Sequence, residues 1–373
     1  MAFRPFRIEF TQRSIDDLHR RLDATRWPQL PFSTGWDAGT DDAAMTELVR
    51  YWRREFDWFG WQRRFNEHAH VRGPMGTDEE MHAVLIAGAR ADGLARVPLL
   101  LMHGWPGSFI ELLPAAERLA AKGFDVVVPS LPGFGFSDAP RAPGAHPGYV
   151  AERMHLLMRD LGYARYGVQG GDWGAHIGAR LARAHPEAVA GLHLNFPAGL
   201  VARETDTEPS AVEADWERRM AAFRDREGAY SRLQRTKPQT LAYALLDSPV
   251  GLLAWVLEKF HGWTDHRGDL FDAVDRETLL ANVTLYWLTG TALSSARLYY
   301  EAEHETPPFV TARCEVPTAF ARYPGEPWEV PREVIERSYH LVRWTELDRG
   351  GHFAALEQPE PFAEDVAGFF GAL

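Results

Sequence analysis

The sequence predicts an α/β fold: a mostly parallel, doubly wound sheet, a helical cap (lid) inserted between core strands, and a mainly helical N-terminal extension. Three observations carry this expectation. Short, continuous apolar runs bounded by Gly/Pro turns, such as "PLLLMHGWPGS" from Pro98 and "FDVVVPS" from Phe124, read as parallel strands covered on both faces. Helical patterns such as "YVAERMHLLMRDLG" and "HIGARLARAHP" separate these runs, as crossover connections require. The alternation then stops at Pro197, gives way to mostly helical, aromatic-rich sequence over residues 198–309, and resumes at "VPTAFARYP".

The extension spans residues 1–65. Within it, "SIDDLHRRLDATR" reads as an amphipathic helix with Ser14 as N-cap and Asp16 and Asp17 near the positive end of the helix dipole. "MTELVRYWRREFDW" is a second helical stretch. The first part of the core, residues 66–197, opens with strands in "HAHVRG" and "MHAVLIAG" and continues through the two runs above to "ARYGVQGG" and "VAGLHLNF". The cap occupies 198–309, where "RETDTEPSAVEAD" reads as a solvated connection and "WERRMAAFRDREG" as an exposed helix of alternating charge. The second part of the core, 310–373, contributes strands in "VPTAFARYP" and "HLVRWTELDRGGH" and a final helix, "PFAEDVAGFFGAL".

Composition narrows the function classes. The chain has 373 residues, 45% hydrophobic and 25% charged, as globular domains do. A formal net charge of −12 argues against nucleic acid as a partner. Cys314 is the only cysteine, so no intrachain disulfide forms, which suits a reducing compartment. The N-terminus lacks the apolar run of a signal peptide, and no apolar stretch reaches the roughly 18 residues of a membrane span. The expectation is a soluble, cytoplasmic protein without a membrane partner; a homo-oligomer stays open. Thirteen tryptophans suit an apolar pocket.

Residues 169–176 read "QGGDWGAH", a Gly-x-Asp-x-Gly pattern centred on Asp172. Gly-x-Ser-x-Gly is the strand-to-helix elbow that presents the nucleophile of an α/β-hydrolase. The plainer reading of Asp172 is a helix cap. Three features favour the elbow: a strand before it, a helix after it, and glycines two residues to either side that tolerate a strained turn. Upstream, "HGWPGS" ends another strand; the backbone N–H of Trp105, paired with that of Trp173, is the expected oxyanion hole. His103 reads as structural. Downstream, His352 follows two glycines in "GGHFAALEQPE" and completes the order nucleophile, acid, histidine, so it is the expected base. Glu326, in the Pro/Gly loop after the preceding strand, is the expected acid; Asp348, on the histidine's own segment, is its rival.

An aspartate at this elbow selects the substrate. A serine attacking a saturated carbon gives an ether, which water does not readily cleave. A carboxylate gives an ester, which activated water can open at the carbonyl. Epoxides and alkyl halides are the matching electrophiles. An opened epoxide leaves an alkoxide that needs a proton donor such as tyrosine, with an unperturbed pKa of about 10. The cap offers Tyr230, Tyr243, Tyr286, Tyr299 and Tyr300, and spacing alone does not choose among them. A halide needs only N–H donors, and the indole of Trp173 offers one, so a dehalogenase is the alternative. A non-catalytic ligand-binding protein on the same fold is a third reading.

"HGWPGS", "GGDWG", "TKPQTLAYALLDSPVGLLAWVLEKF", "LYWLTGTALSS" and "GGHFAALEQPE" together resemble epoxide hydrolases of the microsomal type, and "FRIEFTQRSIDDLHRRLDATRWP" resembles their N-terminal domain. The resemblance runs over nearly the whole chain in order. It implies an α/β-hydrolase core with a helical cap, no cofactor, and conversion of an epoxide to a diol through an ester. It also implies the site residues: Asp172 as nucleophile, His352 as base, Glu326 as acid in Tyr-Pro-Gly-Glu, and Tyr230 and Tyr299 as the cap tyrosines, with Tyr300 adjacent to the latter. The aromatic cap suggests an apolar epoxide. The family's Phe-Asn-x-x-Pro-His-Phe is Phe-Asn-Glu-His-Ala-His-Val here, a departure that bears on packing of the N-terminal segment. The resemblance does not extend to the membrane anchor of the mammalian enzymes, so the expectation is a soluble protein. "HAH", with His68 and His70 on one strand face, lacks the further ligands of a metal site.

Overall fold

The computed structural model describes residues 3–29, 31–74, 76, 78–89, 96–204, 206–306 and 311–373. Its strands are β1 (Arg4–Phe6), β2 (Ala69–Pro74), β3 (Glu80–Ile86), β4 (Leu99–Met102), β5 (Val126–Pro129), β6 (Tyr166–Gly170), β7 (Val189–Leu194), β8 (Cys314–Arg322) and β9 (Tyr339–Glu346). They form one sheet in the order β1-β2-β3-β5-β4-β6-β7-β8-β9. The first three strands and the β3–β5 pair are antiparallel; from β5 to β9 every pairing is parallel.

The apolar runs sit at the sheet centre because both faces are covered. Leu100 and Met102 of β4 belong to one buried cluster, with Val150, Met154 and Ile177. Leu99 and Leu101, pointing the other way, belong to a second cluster with Phe109, Leu112 and Phe362. These partners come from α5 (Pro147–Asp160) and α6 (Asp172–Ala184) on one face, and from α4 (Phe109–Ala121) and α15 (Pro359–Phe370) on the other. The doubly wound core is the one the sequence predicts.

The extension holds α1 (Gln12–Asp23), α2 (Asp42–Arg54) and α3 (Trp58–Phe65). One detail differs from expectation and another adds to it. Helix α1 begins before Ser14: Thr11 is the N-cap, and the Ser14 hydroxyl lies 3.4 Å from that of Thr11. Asp17 is engaged by Arg20 and Arg21. The extension is also not wholly helical, since residues 4–6 add β1 to the sheet edge, a position that tolerates Pro5. The Phe-Asn departure does not loosen this segment. The Asn66 side chain bonds both the N–H and the C=O of Ile8, each at 2.9 Å. His70 is buried, with Nδ1 2.8 Å from His82 Nε2 and Nε2 2.8 Å from the Phe65 carbonyl, so both ring nitrogens are occupied by protein.

Between β7 and β8 lie α7 (Ala211–Glu227), α8 (Ala229–Thr236), α9 (Pro238–Asp247), α10 (Pro249–Trp263), a single 3-10 turn, α11 (Arg276–Thr289) and α12 (Ala292–Glu303). The connection into α7 is less solvated than expected: Glu213 is buried and paired with Arg203 and Arg337. The boundary drawn at 309/310 lies outside the described residues. Helices α13 (Arg332–Ser338) and α14 (Ala354–Glu357) belong to the last segment. No single helix among the described residues is long and apolar enough to cross a membrane; α9 and α10 meet those criteria only as a pair bent by 117°.

Candidate active site

The C-terminal ends of four parallel strands converge, where ligands of such sheets bind. After β6 comes Asp172, the only non-glycine residue with positive φ (46°) among the described residues. Its neighbours explain the glycines. A Cβ on Gly170 would stand 2.3 Å from the Gly174 carbonyl oxygen, and one on Gly174 would stand 2.1 Å from that of Met102. A strained turn held this tightly is over-determined by its surroundings, as functional turns are.

After β4, the loop 103–108 closes over the elbow. The Trp105 N–H donates to Asp172 Oδ1 at 2.8 Å. Gly104 lets the carboxylate approach, because a Cβ there would lie 2.0 Å from Oδ1. Of the two expected backbone donors, the structure brings Trp105 to the carboxylate; the Trp173 N–H makes no bond to it. That N–H is one of those that helix α6 leaves unpaired at its first turn. His103 is buried, its pKa lowered to about 4 by burial, and its Nε2 accepts from the Leu131 N–H at 3.3 Å.

After β9, His352 Nε2 lies 3.4 Å from Asp172 Oδ2. After β8, Glu326 Oε2 lies 2.9 Å from His352 Nδ1, while Oε1 accepts from the Trp328 N–H at 3.1 Å. Asp348 is exposed. Burial would push the His352 imidazolium down, but the Glu326 charge and the bond to Asp172 outweigh it, holding its pKa well above the usual histidine value. Rings of Trp263, Trp328, Phe196 and Phe353 surround the imidazole at 5.0–5.6 Å.

The cap brings two tyrosines across from the carboxylate. Tyr230 of α8 stacks on Trp105, with centroids 5.4 Å apart. Tyr299 of α12 meets Trp105 edge-on at 5.9 Å and Trp173 at 4.7 Å. Both are buried, and burial, reinforced by the Asp172 charge, pushes both phenols up, so they stay protonated. The ammonium of Lys259 lies 4.5 Å from the Tyr230 ring centre. Tyr300 stacks instead on His304 at 4.0 Å, and Tyr243 is exposed.

Three groups hold the site together, of which the sequence offered Tyr286 only as one of five cap tyrosines and did not mark out Asn282 or Glu357. Tyr286 donates its hydroxyl to the Gly107 carbonyl at 2.7 Å, and Asn282 donates to that of Pro106 at 2.8 Å, so α11 grips the loop carrying Trp105. Glu357 accepts from the N–H groups of Asp265, Gly351 and Phe353 at 2.8–3.0 Å, bracing the turn that carries His352. Its place five residues after His352 in "GGHFAALE" was the available signal. Replacing Tyr286 with Phe strands a buried carbonyl, which costs about 1–3 kcal/mol. The expected result is a melting temperature lower by a few degrees and a kcat that falls more than KM rises; thermal denaturation and steady-state kinetics check both.

Comparison with known proteins gives consistent results. Residues 3–112 match the family described as epoxide hydrolase N terminus, and residues 97–245 match the alpha/beta hydrolase fold. Rabbit (Oryctolagus cuniculus) epoxide hydrolase 1 is 34% identical over 412 residues, covering 99% of this chain and 89% of that protein. The crystal structure of juvenile hormone epoxide hydrolase from the silkworm Bombyx mori superposes with a TM-score of 0.91 at 32% identity, covering 100% of this chain and 94% of that one. The structure of Aspergillus niger epoxide hydrolase gives 0.86 at 30% identity, covering 100% and 97%.

Proposed function

This chain belongs to the epoxide hydrolases, with an α/β-hydrolase fold, and we propose that it converts an apolar epoxide to a vicinal diol through an ester on Asp172. The observation that carries the mechanism is the position of the carboxylate. Asp172 sits on a strained elbow with Oδ1 bonded to the Trp105 N–H and Oδ2 facing His352.

Oδ2 attacks a ring carbon and the C–O bond breaks. The departing alkoxide takes a proton from Tyr230 or Tyr299, which burial keeps protonated. The ester has no charge, so His352 loses one of the two carboxylates that raised its pKa. Its proton passes to the tyrosinate, leaving a neutral imidazole. That imidazole takes a proton from water as the water oxygen bonds to Cγ, and negative charge collects on Oδ1, where the Trp105 N–H stabilises it. Collapse breaks the Cγ–Oδ2 bond, the released diol oxygen takes the proton from His352, and the new carboxylic acid returns the other water proton to His352. Glu326 orients the ring throughout.

On this reading, residues 198–309 work as the lid that carries the tyrosines. Residues 66–197 and 310–373 supply Asp172, His352 and Glu326, and residues 1–65 brace them. The aromatic rings around His352 favour an apolar substrate. A cytoplasmic setting is supported by the single buried Cys314, which suits a reducing compartment. Rapid quenching with substrate in excess, followed by mass spectrometry, tests the ester: the peptide containing Asp172 should gain the mass of one epoxide. An adduct elsewhere, or none during turnover, contradicts the mechanism.

The tyrosines separate this reading from dehalogenation, which the buried indole N–H of Trp173, beside Tyr299, would otherwise suit. Tyr230→Phe and Tyr299→Phe are expected to slow ring opening by about 10²-fold or more each. Tyr300→Phe is expected to leave it within about twofold, because a phenyl ring keeps the stacking on His304. Single-turnover rates of epoxide loss check the three.

A further inference from the structure

Behind the carboxylate lies a small cavity, lined by Asp172, His352, Glu111, Gln169 and Asn195 among others, with about 20 Å³ open to a water centre. That volume holds one water. Two buried oxygens on its wall, Glu111 Oε2 and Gln169 Oε1, have no hydrogen-bond partner among the described residues. Gln169 is 1% exposed, and its amide nitrogen is committed to Asn195 Oδ1 at 2.8 Å, which leaves the carbonyl facing the cavity. Glu111 stands one turn into α4, where Ser108 is the N-cap. The Ser108 backbone N–H engages one side of the Glu111 carboxyl, as in a capping box. Capping leaves the other oxygen unexplained. That oxygen lies so close to Gly107 that a Cβ there would fall 1.5 Å from it.

Resting on the ester mechanism above, we propose that this cavity is the waiting site of the hydrolytic water, and that Glu111 is a positioning residue that orients it. The water lies beside both groups that act on it, His352 Nε2 and the Asp172 carboxyl carbon. Burial raises the Glu111 carboxyl to about 8 against the opposing pull of His352, so it is neutral at pH 7 and has an O–H to donate. A water accepting from that O–H directs one of its own protons to Gln169 Oε1 and the other to His352, and keeps a lone pair for Cγ. Burial of an unpartnered acid and amide beside a nucleophile is costly unless such a partner occupies the space.

The test separates the two chemical steps. Glu111→Leu removes the donor and keeps the bulk. In rapid-quench experiments, adduct formation on Asp172 should stay within about threefold of wild type, whereas adduct hydrolysis should slow by about 10- to 100-fold. Glu111→Gln keeps a donor in place and should restore hydrolysis to within about fivefold. An unchanged hydrolysis rate in the Leu variant, equal slowing of both steps, or a Gln variant as slow as the Leu variant overturns the proposal. If the Leu variant does not fold, a high-resolution crystal structure of the wild-type protein decides. An ordered water bonded to Glu111 Oε2 and Gln169 Oε1 is expected, and a cavity without one overturns it. Failure of the ester mechanism itself reads differently: no adduct on Asp172 forms in any variant or in the wild type.

Discussion

Replacing Asp172 with Asn lowers kcat by on the order of 10⁴-fold or more, while the protein keeps its fold. The amide is a poor nucleophile for a saturated carbon, and no other carboxylate shares the elbow's exposure to both the Trp105 N–H and the tyrosines. Asn tolerates the positive φ of 46° as Asp does. Its carbonyl oxygen can still accept from the Trp105 N–H, the bond that Asp172 makes at 2.8 Å. Near-ultraviolet circular dichroism should therefore match wild type. The electrostatics should change. The His352 imidazolium, raised in the native protein, is a source of stability present below the ordinary histidine pKa and lost as pH rises through its raised value. Removing the Asp172 charge lowers that upper value, so stability should fade at lower pH than in wild type. Slow recovery of activity on storage would mark deamidation back to aspartate, which the mass of the peptide reveals. Retention of more than about a hundredth of wild-type kcat in freshly prepared protein would remove Asp172 from the mechanism.

Replacing His352 with Gln should stop turnover at a different point. Ring opening needs the Asp172 carboxylate and the tyrosines, all still present. Hydrolysis needs a base, and its loss should slow that step by about 10³-fold. The expected result is stoichiometric ester on Asp172 that persists for minutes, seen as a mass increase after mixing with epoxide. Gln is the informative substitution because Glu326 is 6% exposed and, among the described residues, keeps apart from His352 only the bond from the Trp328 N–H at 3.1 Å. An amide N–H can still meet Glu326, whereas Ala leaves a buried carboxylate unpaired at a cost of about 3 kcal/mol. The Gln variant should therefore stay close to wild-type stability and the Ala variant should melt earlier. A Gln variant that forms no ester, or that hydrolyses it at the wild-type rate, contradicts the assigned role.

The parts of the site that were legible in the sequence are those whose chemistry dictates the local backbone. Gly170 and Gly174 flank Asp172 because Cβ atoms at either position would strike the chain. Gly104 stands before Trp105 because a Cβ there would strike the Asp172 side chain. Glu326 was preferred over Asp348 from its strand of origin, and it is Glu326 that meets His352. The parallel strands of the core were legible from their covered apolar runs. What was not legible depends on helices meeting across the chain. Tyr230 and Tyr299 converge through the packing of α8 against α12, which no local pattern encodes. Helical spacing did hold a usable signal for Tyr299 over Tyr300, since Ala292, Ser295, Ala296 and Tyr299 form the buried face of α12. β1 was missed because three residues containing a proline give no alternation to read. Ser14 looked like a cap because residues of that type favour caps, yet Gln12 and Arg13 propagate the helix upstream of it. Glu111 was hidden because a carboxyl that bonds a backbone N–H looks, in sequence, like any surface glutamate, and Glu357 was marked only by its closeness to His352.

The central claim, that a side-chain oxygen and not a solvent oxygen first enters the product, is tested most directly by a single turnover in oxygen-18 water with enzyme in excess over epoxide. The mechanism predicts a first diol free of solvent label and oxygen-18 incorporated into the Asp172 carboxylate. A first diol carrying solvent oxygen, with an unlabelled Asp172, would mean that water attacks the epoxide directly and would contradict the ester route.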